Sequence, residues 1–207
     1  MYVHFFKRIL DFILALGGLI VLSPLFLIIA ICIKLDSKGP VFFRQRRFGK
    51  NKKLFSIYKF RPMRDDSPHD MPTHLFVDAN SYITRVGHFL RVTSLDELPQ
   101  LINIIRGERS VVGPRPVLWS QTDLIAARDL YHANDVRPGL TGWAQINGRD
   151  ELLLTEKVHL DGEYVQKISL AFDVRCFFRT FQYVIRRRGV REGGLGVPDN
   201  SLNNDIK

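Results

Sequence analysis

The stretch Phe12–Ile33, FILALGGLIVLSPLFLIIAICI, decides the architecture: it carries no charge and is bounded by Asp11 and Lys34. A bilayer core of roughly 30 Å takes about 20 helical residues, so the run is long enough to be a membrane segment. It continues into Lys34 and a basic stretch rather than a small-residue cleavage site, which reads as an uncleaved anchor and not a secretory signal. Basic residues flank both ends, with Lys7 and Arg8 before it and Lys34, Lys38, Arg44, Arg46, Arg47, Lys50, Lys52 and Lys53 after it. Such residues resist translocation, so both flanks favour the cytoplasmic side. Ser23-Pro24 sits at the midpoint, where proline removes a backbone donor and bends a helix. A helix that enters, breaks and returns to the same face satisfies these observations. A spanning helix with a tolerated proline, oriented by the larger downstream charge cluster, satisfies them too. Arg8 and Asp11, one turn apart, are expected to neutralise each other at the headgroup boundary.

The 207 residues and 45% hydrophobic content suit one ordinary domain plus a short appendage. The formal charge of +9 points to a polyanionic surface or ligand, whether nucleic acid, anionic lipid or a phosphate-rich substrate. Cys32 and Cys176 have neither metal spacing nor the look of a disulfide framework, and reduced cytosol is the expected compartment.

Beyond the apolar run, GPVFFRQRRFGKNKKLFSIYKFRPM (Gly39–Met63) alternates apolar and polar residues on either side of Gly49-Lys50-Asn51, the pattern of a small β-hairpin. Its basic residues would face lipid headgroups or phosphates. Arg64–Asn80 reads as a loop. Helices are expected from Tyr82 to about Arg91 and from about Asp96 through Ile105, stopped by Gly107. VVGPRPVL (111–118) forbids regular helix. Gln121–Ala133 reads as helix, and Arg137–Arg149, with three glycines and a proline, reads as a loop holding Trp143. Two helices follow. In the last, Val174, Phe177, Phe178, Phe181, Val184 and Ile185 recur at helical spacing among Arg175, Arg179, Arg186, Arg187 and Arg188. That face suits a core or a membrane interface. The tail from residue 189 to 207 is glycine-rich and polar, and disorder is expected there.

Thr93-Ser94-Leu95-Asp96-Glu97 has two readings. Ser94 followed by Glu97 three residues later is a capping box, and acids in a first turn suit the helix dipole. The company of these acids suggests chemistry instead. Arg91 lies one turn earlier, Arg115 stands inside Pro-Arg-Pro, and Arg149 closes Asn-Gly-Arg, arginines held in or beside structured turns and suited to bidentate phosphate binding. A carboxylate so placed can act as a nucleophile on phosphorus where cations neutralise the surrounding oxygens.

The chain resembles the bacterial sugar transferases, small monotopic phosphoglycosyl transferases. The resemblance is carried by Lys7-Arg8 with Asp11, Ser23-Pro24, the Gly39–Met63 block, Thr93-Ser94-Leu95-Asp96-Glu97-Leu98-Pro99-Gln100, Val112-Gly113-Pro114-Arg115-Pro116, and Arg137-Pro138-Gly139-Leu140-Thr141-Gly142-Trp143-Ala144-Gln145 with Asn147-Gly148-Arg149. These blocks follow the family's order over nearly all of residues 1–188. The resemblance implies transfer of a phosphosugar from a UDP-sugar to polyprenyl (undecaprenyl) phosphate, with release of UMP, through a covalent intermediate on Asp96. It implies a role for Glu97 with Mg2+, to which Asp96 also contributes, and phosphate contacts from Arg91, Arg115, Arg149, Lys59 and Arg61. It favours the re-entrant helix broken at Ser23 and Pro24.

The implied fold is α+β and mainly helical: a re-entrant membrane helix over residues 1–36, then a cytoplasmic catalytic domain over 37–188 with a β-hairpin and amphipathic interfacial helices. Such a protein sits monotopically on the cytoplasmic face of the bacterial inner membrane, among membrane lipid and without nucleic acid. It catalyses the first membrane step of glycoconjugate assembly and hands its product to downstream glycosyltransferases, with homo-oligomerisation left open. The chain departs from the family's pattern at Glu108-Arg109-Ser110, where Asp-Met-Ser is common, at Pro62, and in GVREGGLGVPDN near the end. The six histidines read as surface or satisfied core residues. The rival reading from another class is a non-catalytic, membrane-tethered basic module that binds anionic lipid or nucleic acid.

Overall fold

The apolar run folds into α1, Lys7–Asp36, entered through a π-helical turn at Tyr2–Phe6. The computed structural model describes residues 2–67, 79–148 and 152–185. Helical geometry continues through Ser23 and Pro24, so the expected break is not an end of the helix. The reason is local. Pro24 has no N–H to offer the Ile20 carbonyl four residues back, and Ser23 Oγ donates to that oxygen at 2.8 Å. The serine supplies the donor that the proline lacks.

Both ends of α1 are tied to one globular body. Lys7 Nζ pairs with Asp173 at 2.6 Å. Arg8 donates to the carbonyls of Ile104 and Ile105 at 2.5 and 2.7 Å. Asp11, 4% exposed, accepts from Ser110 Oγ at 2.7 Å and from the Val111 amide at 2.9 Å. Arg8 and Asp11 are thus committed to the domain rather than to each other, because a buried carboxylate gains more from two aligned donors than from a neighbour one turn away. At the far end Lys34 Nζ reaches the Gly39 carbonyl at 2.8 Å, and Asp36 accepts from the Val86 amide at 3.0 Å. Between these ends, Ala15 and Leu22 join a core with Leu101, Ile104, Val111, Val112, Ile146, Tyr164 and Cys176. Leu25, Phe26, Ile29 and Ile33 join a second core with Phe60 and Leu90. The outward side carries Ile13, Ile20, Val21, Leu27 and Ile28, each more than half exposed. Leaving such side chains in water forfeits on the order of 2 kcal/mol apiece, a cost that lipid removes.

The β-hairpin forms as expected: β1 (Phe42–Phe48) runs antiparallel to β2 (Leu54–Phe60), in register from Phe42↔Phe60 to Phe48↔Leu54. The free edge of β2 is covered by Asn103, which accepts from the Tyr58 amide at 3.1 Å and donates to the Ser56 carbonyl at 2.8 Å. Across the chain, β4 (Val117–Leu118) adds antiparallel to the other edge of β1. β3 (Ser110–Val112) pairs in parallel with β5 (Gly139–Thr141), and α6 (Trp143–Ile146) follows, so the segment expected as a loop holds a strand and a short helix. Its glycines serve close approach. A Cβ on Gly139 would lie 2.1 Å from the Gly113 nitrogen, and one on Gly142 would lie 2.1 Å from the Gly113 oxygen.

The remaining helices are α2 (Ala79–Tyr82), α3 (Arg85–Val92), α4 (Leu101–Ile105), α5 (Thr122–Asp129), α7 (Leu154–Lys167) and α8 (Leu170–Ile185). The helix expected from Tyr82 is interrupted because Thr84 is extended and caps α3, accepting from the Gly87 amide at 2.9 Å. On α8, Cys176 faces the core with Phe177 packed beside it, whereas Leu170, Val174, Phe178 and Phe181 form an exposed apolar stripe. The α+β, mainly helical class is thereby established. Most of the expected loop at 64–80, and the tail from 189, lie outside the described residues.

Candidate active site

The two acids stand in a 3-10 segment, Leu95–Gln100, rather than at the start of an α-helix. Pro99 explains part of this, since it cannot donate to a carbonyl within the segment. Ser94 adopts the left-handed conformation (φ 57) and makes no side-chain capping bond, so the expected capping box does not form. Glu97 Oε1 lies instead 2.9 Å from Lys59 Nζ and 3.4 Å from Arg115 Nη2. Asp96 Oδ2 lies 3.2 Å from the same Lys59 nitrogen. Asp96 is 6% exposed and Glu97 is 8% exposed. Adjacent carboxylates that deep require cationic partners, because an unpaired buried charge is expensive. Lys59, from the end of β2, bridges the pair.

Arg115 is held from behind. Its carbonyl accepts from Arg128 Nη1 at 2.7 Å, and Arg128 is ion-paired with Asp161, both side chains being buried. This pair joins α5 to α7 and fixes the Pro-Arg-Pro turn. Nothing local in the sequence marks it, because its members are 33 residues apart and belong to different helices.

Two further arginines lie near the acids. Arg109, 1% exposed, donates to the Gly139 carbonyl, and Arg47 Nη1 donates to the Pro116 carbonyl at 3.3 Å. Burial pushes the pKa of each down to about 9; repulsion from Arg115 adds to the effect, and attraction to Glu97 opposes it. Lys59, Arg115, Arg47 and Arg109 together outnumber Asp96 and Glu97, leaving surplus positive charge for an anionic ligand. Arg109 is one of the residues at which this chain departs from the family's usual pattern, and its burial beside β5 was not legible from that departure.

Of the other residues expected in the site, Arg61 is placed elsewhere. Its three guanidinium nitrogens donate to the Ser37, Lys38 and Pro40 carbonyls at 2.7 to 3.0 Å, which straps the exit of α1. The Arg61 amide donates to the Val41 carbonyl at 2.9 Å, one step beyond the end of β2, so its side chain is carried to the exit of α1 and is spent on those carbonyls. Arg91 lies in the last turn of α3, half-buried, and is not among the ion-pair partners of the acids among the described residues. Arg149 lies outside the described residues. Among the described residues no group of three His, Cys, Asp or Glu side chains is placed to hold a metal. The donor set of Asp96 and Glu97 nevertheless suits Mg2+, which takes one or two carboxylates together with substrate phosphates and water. The Lys59 ammonium is the charge that lies between both carboxylates.

The exopolysaccharide production protein ExoY of Rhizobium meliloti (strain 1021) is 39% identical over 88% of this chain and 87% of that protein. The UDP-glucose:undecaprenyl-phosphate glucose-1-phosphate transferase of Escherichia coli (strain K12) is 43% identical over 84% of this chain but only 39% of its own length. The undecaprenyl-phosphate glucose phosphotransferase of Komagataeibacter xylinus is 42% identical over 88% of this chain and 36% of its own length. This chain therefore matches nearly the whole of the first relative and little more than a third of the other two. Residues 2–187 match the family model described as bacterial sugar transferase, and the chain belongs to that family.

Proposed function

We propose that the protein is a membrane-bound phosphoglycosyl transferase that moves a hexose 1-phosphate from a UDP-sugar to undecaprenyl phosphate, releasing UMP, in exopolysaccharide synthesis. The observation that carries this reading is the buried Asp96–Glu97 pair, bridged by Lys59 and flanked by Arg115, on a domain bound along its length to an apolar helix. The names of the E. coli and K. xylinus relatives favour glucose as the sugar.

In this reaction a carboxylate oxygen of Asp96 attacks the β-phosphorus of the donor. The bond from that phosphorus to the bridging oxygen breaks, and UMP leaves with the electron pair. An oxygen of undecaprenyl phosphate then attacks the same phosphorus, the Asp96 oxygen departs, and the carboxylate is regenerated with a polyprenyl diphosphosugar as product. Lys59 positions Asp96 and holds it beside Glu97. Arg115, backed by Arg128 and Asp161, neutralises charge developing on the phosphate oxygens, as do Arg47 and Arg109 at longer range. Bound Mg2+, held by Asp96 and Glu97, would supply further charge neutralisation on the diphosphate. The acceptor's chain stays in lipid while its phosphate lies at the headgroup layer, so the site must sit at that boundary.

A re-entrant α1 provides such a placement. The polar groups of both helix ends, Lys7, Arg8 and Asp11 at one and Lys34 and Asp36 at the other, bond to the same domain. Carrying either end across the bilayer would break those bonds in hydrocarbon. The exposed stripe of α8 offers lipid a second apolar face. The test is UMP release in detergent or nanodiscs with UDP-glucose, Mg2+ and undecaprenyl phosphate, and intact-mass detection of a hexose phosphate on the protein with donor alone. Asp96→Asn is expected to abolish both. Wild-type turnover by Asp96→Asn would overturn the assignment.

A further inference from the structure

We propose that the outer face of the β-hairpin is a docking site for the phosphate of an anionic membrane lipid headgroup. It rests on the membrane placement of α1 proposed above but not on the transferase chemistry. Direct cross-strand partners share a face of the sheet. Arg44↔Tyr58 and Arg46↔Ser56 therefore lie on one face, and Lys59, which holds the catalytic acids, alternates to the other.

The outer face is open, with a depression of about 440 Å³ lined by Arg44, Arg46, Ser56 and Trp119. Trp119 follows Leu118, the partner of Arg47, and so continues that register to Arg46. Its indole is 49% exposed, and both arginines are exposed. None of the four lining residues is acidic. The cations are also preorganised: the Arg44 and Arg106 guanidinium groups lie 5.0 and 5.2 Å from the centroid of the one Tyr58 ring, and Arg106 donates to its hydroxyl at 2.7 Å. Like charges gathered around one ring are relieved by an anion.

The position suits a headgroup. On the same face Phe42 stacks on Phe60 with centroids 5.5 Å apart, and Phe60 meets Phe26 of α1 at 5.1 Å. At roughly 3.4 Å per residue, Arg44 and Arg46 lie about 7 and 14 Å along the strand from Phe42. The face thus passes from the core contact with α1, where Phe42 stays 41% exposed, to paired cations and a tryptophan, the residue type enriched at headgroup depth. A phosphodiester between Arg44 and Arg46, with acyl chains toward Phe42, matches that order.

The full chain is placed in phosphatidylcholine nanodiscs containing the same mole fraction of either brominated phosphatidylglycerol or brominated phosphatidylcholine. Tryptophan quenching is then read as the difference between wild type and Trp119→Phe. The expected result is stronger Trp119 quenching by the anionic lipid, approaching about fivefold local enrichment for each arginine, and loss of the preference in Arg44→Gln/Arg46→Gln. Circular dichroism of that variant should match wild type, because both positions are exposed, and its UMP release in neutral detergent should be unchanged. Equal quenching by the two brominated lipids, or an undiminished preference in the double variant, would overturn the proposal. So would saturable perturbation of Trp119 emission by inorganic phosphate or UMP in phosphatidylcholine discs, which would assign the face to a soluble phosphate.

Discussion

Lys59→Met keeps most of the side chain's length and removes the ammonium that bridges Asp96 and Glu97. What remains is two adjacent carboxylates, 6% and 8% exposed, with the Arg115 guanidinium 3.4 Å from Glu97. Removing one partner of a buried ion pair costs about 3–5 kcal/mol. The low end applies, since Lys59 is 17% exposed and Arg115 still serves Glu97. A chain of this size loses roughly 2–4 °C of melting temperature per kcal/mol, so a loss of about 3 kcal/mol predicts a drop of about 6–12 °C. Adding Asp96→Asn and Glu97→Gln removes the uncompensated charges, and the triple variant is expected to regain most of that stability while releasing no UMP. Thermal unfolding in one detergent, followed by circular dichroism and read beside UMP release, gives both numbers for all variants. If Lys59→Met melts with the wild type, or the triple variant is no more stable than Lys59→Met, the acids are not held as described.

Ser23→Ala should lower stability by about 1 kcal/mol, because the Ile20 carbonyl then loses its hydroxyl donor opposite a proline that cannot replace it; Ser23→Thr should restore the bond, and unfolding in nanodiscs reads both. Burial pushes the Cys176 thiol up to about 12 from an ordinary value of 9.0, with the nearby Asp173 charge as the second cause. The unfolded chain then releases this proton first as pH rises, so Cys176 contributes a loss of stability that begins near pH 9 and grows toward pH 12. At pH 8.5 its native reaction with iodoacetamide should be slower by on the order of a thousandfold than that of an exposed thiol, and unfolding should abolish the difference.

What could be read from the sequence divides along a physical line. The long apolar helix, the hairpin and the class of fold depend on length, alternation and turn residues, which act locally, and all three appear in the structure. Errors arose where a local pattern competed with a partner distant in the chain. Arg8 and Asp11 have helical spacing for an ion pair, yet each finds its partners some hundred residues away. Ser94 and Glu97 have the spacing of a capping box, yet Lys59 and Arg115 claim the glutamate. The glycines from 139 to 142 have the composition of a flexible loop, yet they allow two backbones to touch and form a ladder. In each case the long-range alternative buries charge or backbone, which makes it worth more than the exposed local pairing it displaces. The acid pair is the sharpest instance, since the tie that removes Glu97 from its cap is the one that places both carboxylates around a single cation. Had the cap formed, Glu97 would be turned back on its own helix and Asp96 would face the substrate without its neighbour.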